Sequence, residues 1–149
     1  MDARIITWLI RYGHVLGAGI WVGGYAWLAL VLLPGMAKHT PPTLVPVALT
    51  TIRVLTYTGT ATLVLGLVLM AWTRGLAALT SGGEWGGIMW VGIALAVVLL
   101  GLGDGGLRPA LRQLAATGES RRACRWAWLG LLVAILAVGV MTRALYAGS

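Results

Sequence analysis

The sequence predicts an all-α fold: an integral membrane four-helix bundle with antiparallel neighbours and both termini on the same side. Three observations predict it. The 149 residues are 59% hydrophobic and only 10% charged, whereas about a quarter of the residues of a soluble domain are charged. The apolar residues fall in four long blocks rather than in amphipathic stripes, each near or above the ~20 residues that cross ~30 Å of hydrocarbon. The breaks between blocks are short, and short connections make consecutive helices antiparallel neighbours.

The first span is expected over 5–33, stopped by Pro34-Gly35. It is too long for the apolar core of a signal peptide and reads as a retained helix. The second span is expected over 47–72, after Pro41-Pro42 and Pro46 and before Arg74-Gly75. The third is expected over 85–102, ending in Gly103-Asp104-Gly105-Gly106, and the fourth over 124–146. A basic loop, 103–123, joins the last two, and Pro109 and Thr117-Gly118 mark a short helix inside it. Its arginines are expected along the lipid headgroups. Residues 1–149 form one membrane domain.

The net charge of +7 reflects loop charge rather than nucleic-acid binding. Lys38, Arg53, Arg108, Arg112, Arg121, Arg122 and Arg125 fall on one side, and Arg4, Arg11, Arg74 and Arg143 on the side of the termini. The positive-inside rule makes the richer side cytoplasmic, and its third loop meets anionic lipid. Cys124 stands alone, so no internal disulfide forms. The letters Gly101-Leu-Gly103-Asp-Gly105-Gly106 match a dinucleotide fingerprint, but they follow a membrane helix and not a strand.

Few residues carry chemistry. A histidine inside a membrane helix marks a functional site by default, and His14 is one. Arg11, His14, Ala18, Trp21 and Tyr25 share a helical face. Gly13-x-x-x-Gly17 and Gly19-x-x-x-Gly23 let another backbone, or a flat cofactor, approach closely. In span two, Arg53, Thr56, Tyr57 and Thr60 share a face. They suit either hydrogen bonds between helices or a cradle for a carboxylate such as a cofactor propionate.

The topology sets His14, Met70, Met89 and Met141 at similar depth, one from each span. An imidazole with thioethers suits Cu(I), and a His/Met pair suits haem iron. Methionines also simply fill apolar bundles. On the opposite face, Met36 and His39 flank Lys38 in the first loop as a second possible copper site. No paired carboxylates, Ser/His/Asp set or zinc-spaced cluster is present, so no catalytic residue is expected.

Arg11-Tyr-Gly-His14 followed by Trp21-Val-Gly23-Gly24, with Pro34 after it and Gly66 in the second helix, resembles the CopD-like copper-resistance proteins and their small four-helix relatives. The resemblance implies copper handling in a bacterial inner membrane. His14 and Trp21 also resemble the first helix of the HemJ-type proteins, which implies a b-type haem on His14. Span three lacks the lysine that the HemJ-type group carries. Two functions are expected from these readings. One is a copper- or haem-binding membrane protein with His14 as ligand. The other is an accessory subunit of a larger respiratory or photosynthetic complex, packing glycine-rich faces against partner helices or another copy.

Overall fold

A computed structural model describes residues 2–38, 44–80 and 83–147. Among them the chain is helical and forms no strand. Helix α1 (Ala3–Trp27) runs through a π-helical turn, Leu28–Leu32, into α2 (Leu33–Lys38). Helix α3 covers Leu44–Thr73, and a 3-10 turn at Leu76–Leu79 leads to α4 (Glu84–Gly101). A second π-turn, Leu102–Leu107, carries α4 into α5 (Arg108–Thr117), and α6 covers Arg121–Tyr146. Four helical stretches are long and apolar enough to cross a membrane: Ala3–Ala37, Leu44–Thr73, Glu84–Thr117 and Arg121–Ala144. The chain is a multi-pass membrane protein.

Local chemistry sets several ends. The Asp2 carboxylate accepts from the Arg4 amide at 3.1 Å and caps α1. Gly75 (φ 77°) and Gly118 (φ 75°) turn the chain after α3 and α5, in the left-handed region that glycine enters without a Cβ clash. Threonine hydroxyls within the spans return to the carbonyl one turn back, as at Thr58, Thr60 and Thr62. That satisfies them where lipid offers nothing.

Two expected breaks are helix. Pro34 does not stop the first span, and Gly103–Gly106 do not end the third. A helix break in or near hydrocarbon strands backbone groups without partners. Each π-turn instead lies just ahead of a proline, Pro34 or Pro109, and its widened turn gives room for a ring and for a missing N–H. The basic loop 103–123 therefore shrinks to the link Gly118–Ser120, and Arg108 and Arg112 ride on an extension of span three. Met36 also departs from expectation. It is not in an exposed loop but wholly buried (0% exposed) on α2, because the helix continues past Pro34. His39 lies outside the described residues.

The spans pair as two hairpins, α1 with α3 and α4 with α6. The termini and the link between α3 and α4 lie at one end, here the terminal face. The ends of α2 and α5 lie at the other, the basic face. The largest wholly buried side chains gather from the level of Tyr25 and Leu99 towards the basic face: Leu28, Leu33, Met36, Ile52, Leu107, Leu111 and Leu114. The 34 residues of Glu84–Thr117 extend about 51 Å, well beyond the ~30 Å of hydrocarbon. So α5 and its neighbours reach water, where burying leucine is favourable by about 1.5–3 kcal/mol each. Within the bilayer the same side chains gain little from burial, and Val15, Val64, Val97 and Leu132 face outward.

This contrast predicts a difference between two leucines. Leu111→Ala should destabilise the protein by about 2–5 kcal/mol. Leu132→Ala, whose wild-type side chain is 58% exposed, should stay within roughly 0.5 kcal/mol. Reversible unfolding in mixed micelles measures both. Equal losses would remove the case for a core concentrated at the basic face.

Candidate functional site

His14 stands on α1, facing α3. Its position follows from glycine. A Cβ on Gly17 would collide with the Thr62 side chain, and one on Gly13 would come within 3.1 Å of Leu65. Without those atoms α1 and α3 close together, and the Thr62 carbonyl comes 2.8 Å from His14 Nδ1. One turn further along α3, Gly66 lies under the ring: a Cβ there would sit 2.8 Å from Cε1 and 3.1 Å from Nδ1. The Nδ1–Cε1 edge is thus clamped on the α3 backbone.

The contact fixes the tautomer. A backbone carbonyl only accepts, so Nδ1 carries the proton and donates to Thr62. In the neutral imidazole Nε2 then holds the lone pair. Among the described residues Nε2 has no hydrogen-bond partner, and the side chain is only half-buried. A ring held through Nδ1–H on a carbonyl, with Nε2 open, is the usual arrangement of a ligating histidine.

The rest of the polar-aromatic face divides. Trp21 and Tyr25 turn inward and are buried, while Arg11 is exposed. The Trp21 ring lies on Gly59, where a Cβ would stand 2.6 Å from it. Tyr25 crosses to the other hairpin. Its hydroxyl donates to the Leu99 carbonyl at 3.0 Å, and its ring fills the space left by Gly130. Gly13 and Gly17 serve packing against α3, whereas Gly19 and Gly23 face outward with no atom within 4 Å of an added Cβ.

The three methionines of the His14 set divide one and two between the hairpins. Met70 is buried on α3, one turn beyond Gly66 on the His14 hairpin. Met141 packs its methyl group over Gly92 within the other hairpin, and Met89 lies one turn from Gly92. Among the described residues no three His, Cys, Asp or Glu side chains gather around a metal position. Arg53 and Tyr57 are not brought to His14. They lie on α3 towards the basic face, and the nine residues from Arg53 to Thr62 span about 13–14 Å. Their face turns outward, with Tyr57 69% exposed. Among the described residues, only Thr56 of that face bonds across, donating to Asp104 at 3.2 Å.

Sequence reasoning missed the Thr62 carbonyl, since a backbone acceptor leaves no letter. It also left Asp104 in a loop. That residue sits on the second π-turn and pairs with Arg108 at 2.7 Å, one turn on, a spacing that could have marked it. Comparison with known protein families, with curated proteins and with solved structures gives no match.

The clamp at Gly66 predicts a specific sensitivity. Gly66→Val should displace the imidazole and separate the helices, destabilising the protein by about 1–3 kcal/mol. Gly23→Val, on the open face, should change stability by less than roughly 0.5 kcal/mol. The imidazole chemical shifts of His14, followed by NMR with both variants, check the displacement. Unchanged shifts in Gly66→Val would refute it.

Proposed function

We propose that this protein binds a haem b in the membrane, with His14 Nε2 as an axial ligand. The observation that carries the reading is the fixed tautomer: Nδ1–H on the Thr62 carbonyl, with the Nε2 lone pair open. The donor set favours haem over a copper ion. Copper needs several protein ligands, and of Met70, Met89 and Met141 only Met70 shares the His14 hairpin, while Met89 and Met141 belong to the other. A porphyrin supplies four nitrogens itself and needs only one or two from the protein. Arg11, exposed one turn beyond His14 towards the terminal face, would meet a propionate. Copper remains the reading in which Met70, Met89 and Met141 would join His14 as soft ligands.

The likeness of the Arg11–Gly24 segment to CopD-like and HemJ-type proteins supports the same reading and points to a bacterial cytoplasmic membrane. The arginines at the basic face support a cytoplasmic orientation for it, facing anionic lipid. A second reading, an accessory subunit of a larger membrane complex or a self-associating chain, rests on the outward Gly19-x-x-x-Gly23 face. Among the described residues nothing lies within 4 Å of a Cβ added at Gly19 or Gly23, and small residues one turn apart suit a close helix crossing.

The purified protein, reconstituted with haem, should show a Soret band that is lost in His14→Ala and kept in His14→Ala supplied with imidazole. A wild type without a Soret band, and without bound copper by metal analysis, would sink the reading. Stoichiometric partner subunits in that preparation would then favour the accessory role.

A further inference from the structure

A different set of residues meets between α3 and the end of α4, on the basic side of the Thr56–Asp104 hydrogen bond. Arg53 lies one turn from Thr56 and Arg108 one turn from Asp104. The two spans run antiparallel, so both arginines stand on the basic side of that hydrogen bond. Arg112 follows one turn later and is exposed. With Asp104 as the one carboxylate among these four side chains, the group carries a net charge of +2, three cations less one anion. Asp104 already pairs with Arg108. Arg53 is exposed and has no ion pair among the described residues.

An arginine on the apolar surface of a membrane helix needs an anion or the headgroup layer. Helical side chains lean towards the helix N-terminus, and for α3 that is the basic face. Arg53 and Tyr57 therefore both lean towards the headgroups. On α4 and the second π-turn, Gly101 and Gly105 are exposed, with nothing within 4 Å of an added Cβ, and Val98 and Ala94 are exposed on the same helical stretch towards the bilayer centre.

We propose that these arginines bind one anionic phospholipid. Its phosphate lies between Arg53 and the Arg108–Arg112 edge, and one acyl chain lies along Gly101, Val98 and Ala94. Arginine suits the phosphate because its planar fork gives two parallel donors. The Asp104–Arg108 pair orients Arg108 and blocks a second phosphate. The inference is independent of His14, which lies on the opposite side of the Tyr25 level.

Native mass spectrometry of the whole protein, released from micelles holding equimolar phosphatidylglycerol and phosphatidylcholine, tests it. Wild type should retain one phosphatidylglycerol about fivefold over phosphatidylcholine. Arg53→Gln should bring the ratio close to unity, and Arg53→Lys should keep part of the preference. Arg121→Gln, on the surface of α6, should leave it unchanged. Raising the salt to about 0.5 M should reduce wild-type retention, a readout that needs no variant to fold. Equal retention of both lipids by wild type would overturn the proposal. So would a preference that survives Arg53→Gln but falls in Arg121→Gln, which would mean diffuse attraction by the basic face.

Discussion

Tyr25 joins three of the four spans. Its hydroxyl lies deep in the bundle, where an unpaired polar group would cost several kcal/mol. The Leu99 carbonyl, just ahead of the second π-turn, accepts it. The ring is accommodated because residue 130 is glycine, and the hydroxyl stands 3.1 Å from where a Cβ on Gly103 would be. This one contact sets how far α1 slides against α4 and how closely it approaches α6. Everything on α1 follows: Trp21 on Gly59, Gly24 against Leu55, and His14 at the level of Thr62.

Water decides where the remaining stability lies. Hydrocarbon is as apolar as leucine, so burial inside the bilayer provides little drive, and close backbone contact through small residues takes its place. Beyond the hydrocarbon the hydrophobic effect returns. That is where Met36, Leu107, Leu111 and Leu114 disappear from the surface. The basic end is consequently a conventional core, built by helices that overrun the membrane. The terminal half is held by glycine contacts within each hairpin and by the exposed Glu84–Arg143 pair at 2.8 Å, which adds little.

Composition and block length were enough to read four helices, their order and their antiparallel pairing. The helix ends were harder, for a physical reason. Pro34 and the Gly103–Gly106 run are breakers by local propensity. Next to a bilayer the demand that each amide find a partner outweighs propensity, and a π-turn reconciles the two. The same error placed Met36 in a loop. Of the candidate site, His14 was legible because a histidine stands out in an apolar helix. Its orientation was not, because it depends on a carbonyl and on the absent Cβ atoms of Gly17 and Gly66. The polar letters of span two divide: Thr56 bonds across to Asp104, whereas the Thr60 hydroxyl is satisfied within its own helix and needs no inward face.

The orientation of His14 rests on groups that mutation seldom removes. Its acceptor is main chain, so replacing Thr62 leaves the carbonyl in place. The vulnerable positions are glycines, where added atoms and not lost ones would break the contact. A ligand at Nε2 needs no rearrangement of the ring, since Tyr25 fixes the helix and Thr62 fixes the ring on it.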